Sequence, residues 1–201
     1  MTLEPPSGSR ISVTPDGAHS VIVIPQGSGA PVRYLVGLGS LAWLGAWLFA
    51  VGSAVSQLPS VQASPRLAVH IFNWFAGYML WGAFVAYVAY RAFRPPVPET
   101  LRLQPNGVIY DSGIPPLMIK LDVAYLKDIW RSIFPKKRIR AQLDLRTLAS
   151  LRLRETDDGN RLTVDADASR LELARSASEV EREWLYELLA RRYSLPLPPG
   201  Q

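Results

Sequence analysis

The sequence contains no cysteine, and its two histidines are His19 and His70. The absence of cysteine excludes disulfides, thiolate metal sites, iron–sulfur clusters and cysteine nucleophiles. Phosphate-binding loops, HExxH zinc motifs and GxSxG nucleophile motifs are also missing from the sequence. We therefore predict a protein without enzymatic activity, cofactor or metal site. A membrane enzyme of unrecognised type, built on Asp, Glu, Lys or Tyr alone, is the alternative.

Charged side chains are missing from two long stretches of the chain. None occurs between Arg33 and Arg66, and none occurs between Arg66 and Arg91. The apolar runs within these stretches exceed the roughly 20 residues that cross a hydrocarbon core, and neither shows the polar stripe of a soluble helix. The pattern predicts an antiparallel hairpin of two transmembrane helices, residues 34–58 and 67–92, joined by a short external loop, residues 59–66.

The arginines near these runs predict how the hairpin is oriented in the membrane. Arg33 precedes the first run, and the second run is followed by Arg91 and Arg94. The connecting loop contributes Arg66 alone. Because the cytoplasmic flanks of membrane helices are enriched in basic residues, we expect both termini to lie in the cytoplasm.

Small residues recur at every fourth position of the first run. They are Ala42, Ala46, Ala50 and Ala54, with Gly45 beside them. Small residues at this spacing let two helix backbones approach closely in lipid. We predict that this stripe packs within the hairpin, and the alternatives are self-association or docking onto a larger membrane complex.

His70 lies near the start of the second run. A histidine inside a membrane is a candidate ligand of haem or chlorophyll, or a proton relay. However, interfacial water reaches the first turn of a membrane helix. We therefore favour a structural hydrogen-bonding role for His70 and keep cofactor ligation as the alternative.

The segment after the second run changes to the short alternating patterns that are typical of strands. "TLRLQ" and "VIYD" flank the turn "PNG", and further short segments follow. "TDDGN" predicts a tight hairpin turn in which Gly159 adopts a positive φ. The N-terminal tail, residues 1–33, contains "RISVTPDGAHSVIVIPQ", which predicts two more strands. These strands either add to the sheet or form a membrane-proximal loop.

The C-terminal segment "SASEVEREWLYELLARRY" predicts an amphipathic helix. A capping box is available from Ser176 with Glu179, or from Ser178 with Glu181. We expect residues 194–201 to form a flexible tail. The apolar face of the predicted helix consists of Val180, Trp184, Leu185, Leu188 and Leu189.

The segments "IRAQLDLRTLASLRLRE", "RLTVDADASRLELA" and "EREWLYELLARRY" place several short strands before one C-terminal helix. This arrangement resembles the bacterial membrane proteins in which a transmembrane hairpin carries a pleckstrin-homology-like (PH-like) domain. The resemblance implies a membrane α-helical hairpin plus an α+β PH-like domain over residues 98–193. It further implies an antiparallel sheet or partly open barrel with a C-terminal helix, and a multi-pass location in the bacterial inner membrane.

The segment "LKDIWRSIFPKKRIR", residues 126–140, combines an apolar helical face with a basic cluster. The apolar face consists of Leu126, Ile129, Trp130, Ile133 and Phe134. The basic cluster consists of Lys136, Lys137, Arg138 and Arg140. We favour packing of this face on the domain's own sheet. The alternatives are insertion of Trp130 and Phe134 among lipid headgroups, with the basic cluster on anionic lipid, and contact with a partner protein.

Together these patterns predict a membrane-anchored, non-enzymatic scaffold or assembly protein. Its cytoplasmic domain is expected to contact a partner protein or anionic lipid headgroups, and its transmembrane helices a partner or a second copy. The alternative is an accessory subunit of a respiratory or photosynthetic membrane complex. The net charge of +5 is modest and the basic run stands at one place, so we expect no nucleic-acid partner.

Overall fold

The computed structural model divides the chain into two units. The sheet unit comprises Met1–Gly27, Pro96–Pro115 and Lys136–Gln201. The helical unit comprises Ser28–Pro95 and Pro116–Pro135. The structure describes residues 4–17, 19–27, 30–57, 65–117, 130, 133–134, 137–156, 159–166 and 169–195.

Two long apolar helices form most of the helical unit, α1 (Ala30–Gln57) and α2 (Pro65–Phe93). Within them, Pro31–Gln57 and Ala68–Phe93 are long and apolar enough to cross a membrane. Only 11% of the most apolar window of each helix is buried in the protein. A core helix of a soluble protein is mostly buried, so these two helices leave their apolar side chains without protein cover.

The contact between α1 and α2 depends on two glycines that accept aromatic rings. A Cβ atom placed on Gly82 would lie 2.4 Å from Cζ2 of Trp47, and a Cβ atom on Gly37 would lie 2.7 Å from the Phe93 ring. The indole Nε1 of Trp47 also donates a hydrogen bond to the carbonyl of Tyr78 at 3.2 Å. The helices therefore pack large rings against glycine rather than small residues against each other.

This packing leaves most of the small-residue stripe of α1 outside the contact with α2, contrary to the prediction that the stripe packs within the hairpin. Ala54, at the end of the stripe, lines a shallow groove with His70 and Trp74 of α2. Ala42, Ala46, Ala50 and Ala54 are all exposed, and no atom lies within 4 Å of a Cβ atom built on Gly45. The reason is angular. At about 100° per residue, Ala46 lies roughly 180° around the helix from Gly37, which faces α2.

An antiparallel meander forms the first half of the sheet unit, with its strands in the order β1-β2-β3-β4-β5. The N-terminal hairpin belongs to it, because β2 pairs with β3 in a register that sets Ile22 opposite Leu101. The N-terminal strands therefore add to the sheet, which is one of the two alternatives predicted for the N-terminal tail. The strands are β1 (Ser12–Asp16), β2 (His19–Ile24), β3 (Glu99–Gln104), β4 (Gly107–Asp111) and β5 (Arg140–Asp144).

The second half of the sheet unit follows a one-turn helix, α3 (Leu145–Leu148). Its three strands pair antiparallel in chain order and lead into the last helix. Gly159 lies between the first two of these strands with φ 96°, as predicted for the hairpin turn. The elements are β6 (Arg152–Arg154), β7 (Arg161–Ala166), β8 (Ser169–Leu173) and α4 (Glu179–Arg192).

One hydrophobic core joins both sheets and α4. From α4 it includes Leu185, Leu188 and Leu189, as predicted, together with Tyr186. Val180 is 61% exposed, so the predicted apolar face is wrong at that position. Other core members are Ile22, Leu101, Leu103, Tyr110, Leu143, Leu162, Val164 and Leu173. The fold is therefore an α+β unit of antiparallel sheets with a C-terminal helix, accompanied by two apolar helices.

Candidate functional site

The apolar part of segment 126–140 forms an aromatic cluster within the helical unit, which we define as Phe84, Tyr87, Trp130 and Phe134. The backbone N–H of Phe134 donates to the carbonyl of Trp130 at 2.8 Å, which is the i to i−4 bond of a helical turn. The rings of Trp130 and Phe134 stack with centroids 5.9 Å apart and an interplanar angle of 11°. The predicted helical face is therefore present at these two positions.

The aromatic cluster packs the two rings of this turn on α2. The centroid distances are 5.7 Å for Phe84 and Trp130 and 5.4 Å for Tyr87 and Phe134, the latter pair stacked. The hydroxyl of Tyr87 also donates to the carbonyl of Ile133 at 3.3 Å. The favoured expectation, packing on the domain's own sheet, is therefore wrong: the aromatic side chains of α2 offer the complementary ring surfaces.

Trp130 and Phe134 nevertheless keep about half of their surface open, being 49% and 52% exposed. Ile133, between them in the chain, is buried with Ala92 and Leu117. Leu126 and Ile129 lie outside the described residues. The turn is thus held on α2 by one side while two large rings present an apolar surface outward.

The basic residues after this turn belong to the sheet unit, and two of them are ion-paired. Arg138 binds both carboxylate oxygens of Asp111, at 2.6 and 2.7 Å, and Arg140 binds Oδ2 at 2.9 Å. The hydrogen bonds from Arg138 outweigh partial burial and lower the pKa of Asp111. Asp111 therefore neutralises part of the basic cluster that the lipid-binding alternative requires. Lys137 is exposed, and Lys136 lies outside the described residues.

His70 lies in a shallow groove of α2 and accepts a hydrogen bond. The indole Nε1 of Trp74, one turn further on, donates to Nε2 of His70 at 3.0 Å. Ligation of a metal through Nε2 would require this bond to break, so the geometry fits the structural role better. No group of three or more potential metal ligands occurs among the described residues. The groove has a volume of about 540 Å³ and is lined by His70, Asn73, Trp74, Gly77, Tyr78 and Trp81.

The sheet unit contains a buried carboxyl group that the sequence patterns did not reveal. Glu99 is 1% exposed, and its Oε1 accepts from the hydroxyl of Tyr110 at 2.5 Å while its Oε2 accepts from the backbone N–H of Ser176 at 3.4 Å. Burial raises the pKa of Glu99, although the Tyr110 hydrogen bond opposes this rise. These contacts tie β3 to the turn before α4, which indicates a structural role.

A second concavity lies beside α4 and has an acidic rim. Two of its carboxylates already have partners: Glu183 accepts from the side-chain amide of Asn160 at 2.9 Å, and Glu187 pairs with Arg191 at 2.8 Å. The groove measures about 520 Å³ and is lined by Leu153, Glu155, Asn160, Glu183, Tyr186 and Glu187.

Comparison with known proteins adds no relative to this picture. No protein-family model, no curated protein and no solved structure matches the chain.

Proposed function

We propose that this chain is a membrane-anchored, non-enzymatic scaffold protein of the bacterial inner membrane. In this proposal α1 and α2 cross the bilayer as a hairpin, and both termini lie in the cytoplasm. Trp130 and Phe134 insert at the cytoplasmic boundary of the bilayer, and the PH-like sheet unit is the part that contacts a partner protein.

The observation that carries this proposal is the position of the aromatic cluster along α2. At 1.5 Å per residue, the 29 residues of α2 span about 44 Å, close to the thickness of a bilayer with its headgroups. Phe84 and Tyr87 lie roughly 9 to 14 Å from the C-terminal end of this helix. That depth corresponds to the outer edge of the hydrocarbon core, where tryptophan and other aromatic rings are enriched.

The open halves of Trp130 and Phe134 fit such an environment. Full burial of a large apolar side chain contributes about 1.5 to 3 kcal/mol, so the remaining half of each ring contributes about 1 kcal/mol when lipid covers it. The apolar surface of the two helices supports the same setting. Leu48, Phe49, Phe72, Trp74 and Leu80 are between 62% and 79% exposed, and such surface needs lipid or protein cover.

A scaffold role is favoured over catalysis by the way polar side chains are used in the sheet unit. The carboxylate of Asp111 accepts hydrogen bonds from two arginines. The carboxyl group of Glu99 accepts hydrogen bonds from Tyr110 and from a backbone N–H. Glu181 is likewise held by hydrogen bonds. Two antiparallel sheets closed by a C-terminal helix are also compatible with the PH-like domain that the sequence resembles.

The test uses spin labels on the full-length protein in liposomes. Because the chain has no cysteine, Trp130→Cys, Phe134→Cys, Leu80→Cys and Lys137→Cys each carry one label without background. At positions 130 and 134 we expect high accessibility to oxygen and low accessibility to a water-soluble nickel complex, as at Leu80 within α2. Lys137 serves as the matched control and should show the opposite. Water-like accessibility at both ring positions would contradict the proposed insertion.

A second candidate function is supported by the exposed small-residue stripe. Since α2 does not cover Ala46 and Gly45, this face of α1 is open to helices of another membrane protein. The chain would then be a subunit of a larger complex. Gentle detergent extraction followed by sizing tests this: a large particle that Ala46→Leu disperses supports it, and a small homogeneous wild-type particle refutes it.

A further inference from the structure

The end of the hairpin where α1 begins and α2 finishes carries several arginines and, among the described residues, no carboxylate. No Asp or Glu occurs between Asp16 and Glu99 in the sequence. Asp122 and Asp128 of the helical unit lie outside the described residues, and the described residues of this unit contain no acidic side chain. At this end they contain Arg33 and Arg94, and also Arg91, which has an interaction partner.

Arg33 is the unusual member of this group because it is buried, with 8% of its surface exposed. Its Nη2 donates to the hydroxyl of Tyr34, and its guanidinium carbon lies 4.5 Å from the centroid of the Tyr34 ring. Nε and Nη1 are shielded from solvent and have no hydrogen-bond partner among the residues described. A shielded cation with unsatisfied donors is costly unless an anion compensates it.

The surrounding helix ends favour an anion at the same place. The N-terminus of α1 carries the positive end of the helix dipole. The N–H groups of its first turn have no intrahelical acceptor, although Pro31 in this turn has no N–H to offer. The last turn of α2 is close by, since the rings of Tyr34 and Phe93 lie 6.2 Å apart. Arg94 follows Phe93 directly.

We propose that this end of the hairpin binds the phosphate of an anionic phospholipid, with Arg33 and the first turn of α1 as its ligands. This inference rests on the membrane anchoring proposed above. A phospholipid fits better than a soluble phosphate because the site borders apolar surface. Tyr34 and Phe93 are 44% and 40% exposed beside it, and no charge follows Arg33 along α1. A guanidinium binds phosphate oxygens through two parallel hydrogen bonds.

The site differs from the basic run at residues 136–140. In that run Arg138 and Arg140 are already bound to Asp111. Arg33, in contrast, has no carboxylate partner within the described part of the chain. Arg33 is therefore better suited to a lipid phosphate than Arg138 or Arg140.

The experiment measures which lipids the full-length protein retains. The protein is reconstituted in a mixture of phosphatidylcholine and phosphatidylglycerol, released gently, and analysed by native mass spectrometry. Wild type should retain phosphatidylglycerol in preference to phosphatidylcholine. Arg33→Gln should lower this preference about tenfold, since a hydrogen bond to a charged group is lost, and Arg33→Lys should lower it less. Arg66→Gln, at the opposite end of the hairpin, is the matched control and should leave it unchanged.

Tyr34→Phe keeps the inference testable if Arg33→Gln fails to fold. This variant removes the internal acceptor of Nη2, so the preference for phosphatidylglycerol should be kept or increased, and a loss would count against the site.

Equal preference in wild type and a folded Arg33→Gln variant overturns the inference, as does an equal loss in Arg66→Gln. Displacement of the lipid by inorganic phosphate reassigns the site to a soluble anion and also overturns it. Release of the protein from vesicles by carbonate refutes membrane anchoring itself, whereas firm retention without lipid preference refutes only this inference.

Discussion

Replacing Glu181 with glutamine should destabilise the sheet unit strongly at neutral pH. The carboxylate of Glu181 joins the N-terminal segment to α4: its Oε1 accepts from Ser9 Oγ at 2.7 Å and from the Arg10 backbone N–H at 3.0 Å. Its Oε2 accepts from the backbone N–H of Ser178 at 2.7 Å, which completes the capping box of α4. Glu181 is 7% exposed, so these bonds are largely protected from water.

The size of the effect follows from the pKa of this carboxyl group. Burial by itself raises the pKa of Glu181, but the hydrogen bonds from Ser178, Ser9 and Arg10 outweigh burial and lower it to about 2. Because the folded pKa is depressed, the stabilisation is present above the unfolded value of 4.5 and is lost as the pH falls through about 2. At about 1.4 kcal/mol per pKa unit, the ionised group contributes roughly 3 kcal/mol at neutral pH. Glutamine keeps the shape and a neutral acceptor, so we expect a loss of about 2 kcal/mol.

Hydrogen exchange of the full-length protein in nanodiscs measures this loss, because the amides of β1, β2 and α4 report opening of the sheet unit. The matched control is Glu187→Gln on the same helix. Glu187 pairs with Arg191 at 2.8 Å, but their side chains are 59% and 66% exposed, so this substitution should change stability by less than about 0.5 kcal/mol. Equal protection in wild type and Glu181→Gln would refute the reasoning, and so would an unchanged dependence of stability on pH between neutral and acidic conditions.

Two further predictions concern the buried carboxyl group and the hairpin. Burial raises the pKa of Glu99. Its contribution to folding stability is therefore present at a pH below the pKa of the unfolded state, and it is lost as the pH rises through the pKa of the folded state. The Glu99→Gln variant should therefore be at least as stable as wild type at neutral pH. Its stability should also decrease less than that of wild type as the pH rises, as measured by urea unfolding at several pH values. Gly82→Ala should loosen the hairpin because the new Cβ would lie 2.4 Å from the Trp47 ring, which a shift in tryptophan emission would report. Gly45→Ala is its control, since open space surrounds that position, and equal effects of both glycine variants would disprove the packing argument.

Local signals in the sequence predicted the features that depend on neighbouring residues. The capping box at Ser178 and Glu181 and the positive φ of Gly159 are confirmed. Both depend on hydrogen bonds or backbone conformation within a few residues of the chain. The two apolar helices are likewise visible from composition alone, because a missing charge over such a length is a property of the chain and not of its partners.

The same sequence patterns did not show which surface each side chain meets. Trp130 and Phe134 have the spacing of an apolar helical face, but spacing says only that the face is apolar and does not name the element that covers it. Arg138 and Arg140 both bind Asp111, which precedes them in the chain by 27 and 29 positions. An ion pair across that separation leaves no trace in the spacing of residues.

The packing of α1 on α2 is another contact that the sequence patterns did not show. Four alanines at every fourth position indicate a surface that can approach another helix, yet α2 meets the side of α1 that carries Gly37 and Trp47, and Ala42 and Ala46 face away from it. Gly82 accepts the Trp47 ring there, and the shapes of two side chains on different helices decided the contact. A stripe within one helix does not contain that information.

By itself, the sequence determined that this protein has two apolar helices of membrane-spanning length, a strand-rich remainder and a capped C-terminal helix. These follow from composition, periodicity and hydrogen bonds between close neighbours. Only the tertiary structure decided that the aromatic turn packs on α2, that Asp111 neutralises part of the basic run, and that Arg33 is buried with no carboxylate partner among the described residues. The physical reason is that burial and ionic pairing depend on residues distant in the chain, and only folding brings them together.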